Sequence, residues 1–171
     1  MVGHGDDFVM RDPNGIRPAY WYEDDEVVVA ASERPVIQTA FNVPASSIQE
    51  VPPGGALVVR RNGQALLEQI RPAADRKACS FERIYFSRGT DIDIYNERRK
   101  LGESLATPVL ECVDYDLDHT VFSYIPNTAE TAFYGLVRGI EDAYTSRANK
   151  LLEDQEINRE DWIRALQKRP R

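Results

Sequence analysis

Ala56-Leu57-Val58-Val59-Arg60-Arg61-Asn62-Gly63-Gln64-Ala65-Leu66-Leu67-Glu68-Gln69-Ile70 sets two strand-like runs on either side of an Asn-Gly pair. Both central residues accept positive φ, so the pair predicts a type I′ turn and the whole stretch a β-hairpin. The chain then changes character. Arg71 to Ala78 is polar, contains Pro72 and has no hydrophobic period. A linker is placed at residues 72–78, between two parts with different patterning.

Upstream of the hairpin the sequence reads as short strands and turns. Asp7 to Met10 runs into Asp12-Pro13-Asn14-Gly15, whose residue types suit a tight reversal. Ala19 to Tyr22 is aromatic and strand-like, Asp24-Asp25 is a polar turn, and Glu26 to Ala31 is a β-branched run long enough for a buried strand. Ser32 is placed to cap a short helix over Glu33 to Phe41, with Pro35 in its first turn. Ile48 to Val51 and the Pro52-Pro53-Gly54-Gly55 turn complete the approach to the hairpin.

Downstream of the linker, strand and helix patterns alternate. Phe81 to Phe86 is strand-like. Leu101, Leu105 and Val109 recur at i+4 along a helix from about Ile94, which Pro108 is expected to kink or end. Thr120 to Ile125 reads as a buried strand. Ala129, Ala132, Phe133, Leu136, Val137 and Ile140 mark one face of an amphipathic helix. A last helix from about Arg159, capped by Asn158, is expected to bury Trp162, Ile163 and Leu166. Such alternation implies a parallel or mixed sheet covered by helices.

Composition narrows the class. Of 171 residues, 42% are hydrophobic and 29% charged, which suits one globular domain or parts of two. The net charge of −7 argues against nucleic-acid binding, because the only basic clusters (Arg60-Arg61, Arg98-Arg99-Lys100 and Lys168 to Arg171) are short. No apolar run approaches the roughly 20 residues needed to cross a bilayer, so no membrane association is expected. Met1 to Asp7 lacks the pattern of a signal peptide. Cys79 and Cys112 stand far apart without a CxxC pair, so a reduced, cytoplasmic protein without a metal site is the expectation.

For chemistry, the junction Phe122-Ser123-Tyr124-Ile125-Pro126-Asn127-Thr128-Ala129-Glu130 is the most informative stretch. Asn127 and Glu130 have capping-box spacing, and a strand that delivers the chain to a helix N-terminus makes an anion site. Asn127 as a purely structural cap remains the alternative. In Arg11 to Pro18, Asp12 is expected to bond nearby backbone and the arginines to pair with acids. Ser32-Glu33 reads as a cap with its acid, His4 and His119 as surface residues, and Cys112 as a small core residue. Asp91 and Asp93 suit a loop or helix start. No Walker loop and no Ser-His-Asp or Cys-His set can be assembled.

The words Arg11-Asp12-Pro13-Asn14-Gly15-Ile16-Arg17-Pro18, Ala31-Ser32-Glu33, Pro53-Gly54 and Cys79-Ser80-Phe81-Glu82-Arg83-Ile84-Tyr85-Phe86-Ser87-Arg88 resemble amidophosphoribosyltransferase in order and spacing. Arg99-Lys100-Leu101-Gly102 and Ile125-Pro126-Asn127-Thr128 continue the likeness, which runs from about Gly3 to about Gly139; from Asp142 onward it fades. The resemblance implies an α/β (α+β) protein. Residues 1–71 would be the C-terminal half of an N-terminal-nucleophile glutaminase αββα sandwich, and residues 79–171 the start of a phosphoribosyltransferase α/β domain.

The whole enzyme would move glutamine-derived ammonia onto phosphoribosyl pyrophosphate in the first step of de novo purine synthesis; its partners would be glutamine, purine nucleotides and phosphoribosyl pyrophosphate carrying Mg. No catalytic residue is implied in this chain. The family's nucleophile is a terminal cysteine upstream of the matched region, and its acidic phosphoribosyl pyrophosphate loop would follow Arg171. Asn127 and Thr128 match a junction that borders the phosphoribosyl pyrophosphate and nucleotide site; the family usually has an acid where Asn127 stands. Cys79 matches an iron–sulfur ligand position of some members, but no companion thiolates follow, so no cluster is expected. A half sandwich leaves an uncovered sheet edge, which implies a homo-oligomer. The competing reading is a shortened, non-catalytic paralogue that binds nucleotide or docks on a full enzyme.

Overall fold

The computed structural model describes residues 5–170, so His4 lies outside the described residues. Two compact units follow one another, dividing between Asp91 and Ile92.

The first unit is built on two antiparallel three-stranded sheets. In one, β5 (Gly55–Val59) is central between β1 (Asp7–Met10) and β6 (Ala65–Gln69), with Leu57 opposite both Val9 and Leu67. In the other, β2 (Tyr20–Glu23) is central between β3 (Val28–Ala31) and β4 (Gln49–Glu50). Side chains alternate across a strand, so each sheet turns one apolar row to the other. Trp21, Val51 and Leu57 meet there, at 5%, 0% and 1% exposure, with Val9, Val28, Ala30 and Val59 packed around them. The expected strands are present, although β3 is shorter than the run that predicted it.

The hairpin forms with a different turn. Gly63 alone of the pair takes positive φ, at 83°, and its N–H donates to the Arg60 carbonyl at 2.8 Å, while Arg60 N–H donates to the Gln64 carbonyl at 2.9 Å. The extra residue gives a looser loop than the type I′ turn expected from Asn62-Gly63. Helix α1 (Arg34–Phe41) starts one residue late: Glu33, not Ser32, is the N-cap, without a side-chain bond. Glu33 reaches instead toward Arg88, at 3.1 Å. Residues of the linker lie along the first turn, with Ala74 N–H on Pro13 O, Lys77 on Asn14 and Cys79 on Ile16, at 2.9 to 3.1 Å.

Phe81 to Phe86 is not a strand. Glu82–Phe86 forms one wide π-helical turn, closed by Ser87 N–H on the Glu82 carbonyl at 2.8 Å. Aromatic spacing favours the coil: Phe81 and Tyr85 stack edge-on at 6.2 Å, and the Arg17 guanidinium lies 5.2 Å from the Phe86 ring.

The second unit contains α2 (Ile92–Cys112), α3 (Glu130–Glu153) and α4 (Arg159–Gln167), and no strand among its described residues. The parallel or mixed sheet expected here is therefore not present. Gly135 abuts Arg99 and Gly139 abuts Glu103 and Ala106, so α2 and α3 run in the same direction. Backbone meets backbone at this seam: a Cβ on Gly102 would strike the Ala132 carbonyl, and one on Gly135 the Arg99 carbonyl. Small residues at i, i+4 spacing (Gly102 with Ala106, Gly135 with Gly139) permit that approach.

The seam corrects the expected face. The buried row of α2 is Ile94, Arg98, Gly102, Ala106 and Leu110, one position out of step with Leu101 and Leu105, which are 46% and 52% exposed. Pro108 does not end the helix. It costs one backbone bond, while Ala106 and Leu110, packed with Leu117 and Ile140, hold the turns on each side.

After α2 the chain runs back along α3, with Tyr115 under Arg147 and Tyr124 stacked on Phe133 at 4.8 Å. Thr120 to Ile125 keeps a period of two, with Phe122 and Tyr124 half-buried, while Val121 and Ile125 stand 77% and 86% exposed. It is no strand, because among the described residues it has no neighbour to pair with. Cys112, expected in the core, is exposed. Asn158 caps α4 as expected, its Oδ1 accepting from Asp161 N–H at 2.9 Å; Trp162 and Leu166 are half-buried, but Ile163 is 43% exposed.

Candidate functional site

The candidate anion site sits where the returning segment turns into α3. Residues 127–130 form a turn in which Glu130 N–H donates to the Asn127 carbonyl at 3.2 Å, and Phe133 N–H donates to the Ala129 carbonyl at 2.8 Å. Asn127 is exposed and Thr128 half-buried. Asn127 is not the cap: Ala129 holds the N-cap position, with no side-chain bond. The capping box fails because Glu130 is engaged elsewhere, its carboxylate accepting from the Tyr134 hydroxyl at 2.6 Å. That bond holds the exposed Tyr134 phenol above its usual range. The amides of Thr131 and Ala132 donate to no described residue. With Asn127 unspent, the first turn of α3 presents free N–H groups, a free amide side chain and the positive end of a 24-residue helix.

The second cluster, in the first unit, does what its residue types suggest. Asp12 accepts from the Asn14 and Ile16 amides at 2.9 Å each, fixing the reversal. Arg11, 9% exposed, donates to Glu50 at 2.6 Å, to the Val51 carbonyl at 2.8 Å and to the Arg17 carbonyl at 2.9 Å. Arg17 Nε lies 2.6 Å from Glu82 Oε2, although neither Glu82 oxygen receives a well-directed hydrogen bond. The close ionic approach decides the pairing, since Glu82 is only 3% exposed. Arg34 binds both oxygens of Asp91, at 2.7 and 2.9 Å. Burial holds the nearby Tyr20 phenol above its usual range, with the Glu50 carboxylate adding to the effect. Every charge here is spent on another protein group, so this is a fastening rather than a reaction centre.

His119 pairs with Asp116 at 2.8 Å on the surface, and that bond holds the Asp116 carboxyl below its usual range. No group of three or more His, Cys, Asp or Glu able to hold a metal occurs among the described residues. No helix among them is long and apolar enough to cross a membrane.

No family model matches the chain. Individual proteins do. Amidophosphoribosyltransferase of Escherichia coli (strain K12) is 30% identical over 140 residues, which span 75% of this chain and 26% of that protein. Its counterpart from Bacillus subtilis (strain 168) is 36% identical over 103 residues, 57% of this chain and 21% of that one. The glutamine phosphoribosylpyrophosphate amidotransferase of B. subtilis, solved in complex with ADP and GMP, matches with a TM-score of 0.57 at 27% identity, over 81% of this chain and 29% of that one. This chain is a homologue of amidophosphoribosyltransferases. It spans about a quarter of the length of the curated relatives it matches.

The likeness to amidophosphoribosyltransferases is to a part of each enzyme that combines small antiparallel sheets with helices. Sequence reasoning anticipated free N–H groups in this first turn; it missed, first, that Ala129 and not Asn127 is the N-cap and, second, the engagement of Glu130 by Tyr134. The second had a signal, since Glu130 and Tyr134 are one helical turn apart.

Proposed function

We propose that this chain supplies the middle of an amidophosphoribosyltransferase, with residues 1–71 as glutaminase scaffold, 72–78 as linker and 79–171 as the beginning of the phosphoribosyltransferase part. The whole enzyme would release ammonia from glutamine and add it to phosphoribosyl pyrophosphate held with Mg. The observation that carries this chain's share is the unspent first turn of α3, where the Asn127 side chain and the amides of Thr131 and Ala132 stand free. Asn127 and Thr128 would border the bound phosphate, as donors rather than as acid or base. The groups that break bonds would come from other segments of the polypeptide. Val121 and Ile125, highly exposed, favour burial against such a segment or a second copy, so self-association by light scattering is expected of the chain alone.

Two results test the reading. The 171-residue chain should release no glutamate from glutamine above background; turnover would mean that a nucleophile lies within it. Titration with phosphoribosyl pyrophosphate, and separately with GMP, should move the amide resonances of residues 127–132, weakly and with strong salt dependence. Shifts confined to the sheets of the first unit would remove Asn127 and Thr128 from the site.

A further inference from the structure

The second unit holds a cavity of 280 Å³ between α3, α4 and the turn that leaves α2. Its walls are apolar, with Ala148 and Leu151 from α3, Ile157 from the following turn and Ala165 from α4. None of residues 127–132 lines it, so the cavity is separate from the site proposed above.

Three charged side chains, Asp114, Arg147 and Asp161, also line the cavity. Asp114 and Tyr115 both adopt left-handed backbone, at φ 51° and 59°, and Tyr115 N–H returns to the Leu110 carbonyl at 2.9 Å. That sharp exit sets the Tyr115 ring beneath Arg147, whose guanidinium carbon is 3.8 Å from the ring centroid. Stacking occupies the face of the guanidinium and leaves its in-plane N–H donors, which no described residue accepts. Asp114 lines the same cavity and its carboxylate also has no partner among the described residues. Neither charge is used to fasten α4. Trp162 Nε1 donates to Asn149 at 2.8 Å, Arg169 faces Glu141 at 3.5 Å and Lys168 binds Asp118 at 2.5 Å.

We propose that this cavity binds a small α-amino acid with an apolar side chain. Its carboxylate meets the edge of Arg147, a planar fork that suits two parallel hydrogen bonds. Its ammonium meets Asp114, and its side chain lies among Leu151, Ile157 and Ala165. A dianion such as phosphate fits less well, because Asp114 and Asp161 both line the cavity and repel it. The volume is at the small end of ligand sites, which suits a ligand smaller than a nucleotide.

The test is a titration of the full chain with L-phenylalanine, with 3-phenylpropionate and with inorganic phosphate, read by backbone amide shifts. L-phenylalanine should give saturable shifts at Asp114, Tyr115, Leu151 and Ile157, with affinity in the millimolar range for so small a ligand. Loss of the ammonium contact should weaken 3-phenylpropionate roughly tenfold. Arg147→Met, an exposed change that keeps an aliphatic stem over Tyr115, should weaken L-phenylalanine by a similar factor without moving the thermal midpoint. Equal affinity for the two acids overturns the amino-acid assignment, tighter phosphate binding overturns the ligand class, and no saturable shift at these residues overturns the site. None of these outcomes depends on the amidotransferase reading.

Discussion

Gly102→Val is expected to cause the largest loss of stability in the second unit. A side chain there meets the Ala132 carbonyl and the Leu136 amide, which are backbone and cannot swing aside as a rotamer would. Overpacking against movable side chains costs about 1–3 kcal/mol, and a main-chain obstacle puts this change at the top of that range or beyond it. A small domain has only about 5–15 kcal/mol to lose. Gly63→Ala is the control. Its φ of 83° strains any L side chain, yet nothing lies within 4 Å, so the loss should stay near 1 kcal/mol. Urea unfolding followed by far-ultraviolet circular dichroism separates the two. A Gly102→Val chain with an unchanged midpoint would mean that α2 and α3 do not touch along this seam.

Asp91→Ala should produce the second largest loss, in the first unit. Asp91 is 5% exposed and receives two bonds from Arg34, whose side chain is itself 20% exposed. Removing the acid takes two charge-assisted bonds from a guanidinium in a largely enclosed place, at a cost of about 3 kcal/mol, somewhat below the upper figures for fully buried pairs because water still reaches Arg34. Arg34→Met combined with Asp91→Leu should recover much of that loss, since both charges of the pair are then removed together. The same double-mutant comparison at Arg99 and Glu103, both 40% exposed, should give less than about 1 kcal/mol. If Asp91→Ala behaved like the exposed pair, the clasp would be ornamental.

What the sequence made legible was local. Asp12 in Asp-Pro-Asn-Gly carries its own acceptor into the turn, and Asn158 sits three residues before the amide it caps; both need only neighbours in the chain. The apolar row of α3 was readable because six positions agree on one face. Thr120 to Ile125 was read as a buried strand, but a strand also requires a partner, and no partner is written in the segment itself. The face of α2 was misread for a related reason. Leu101 and Leu105 are the conspicuous residues, yet the close approach of α3 selects Gly102 and Ala106, whose value is the bulk they lack. At Asn127 the spacing for a capping box was present, and Tyr134 took the Glu130 side chain that would have completed it. Competition between two local bonds cannot be ranked from letters alone.

The glycine seam between α2 and α3 also governs how this segment can drift in descent. Most interior positions can trade bulk with a neighbour over generations, one side chain growing as another shrinks. Where main chain rests on main chain there is nothing to trade with. Descent is therefore expected to rewrite the surrounding surface sooner than Gly102, Gly135 and Gly139, where an added side chain meets main chain.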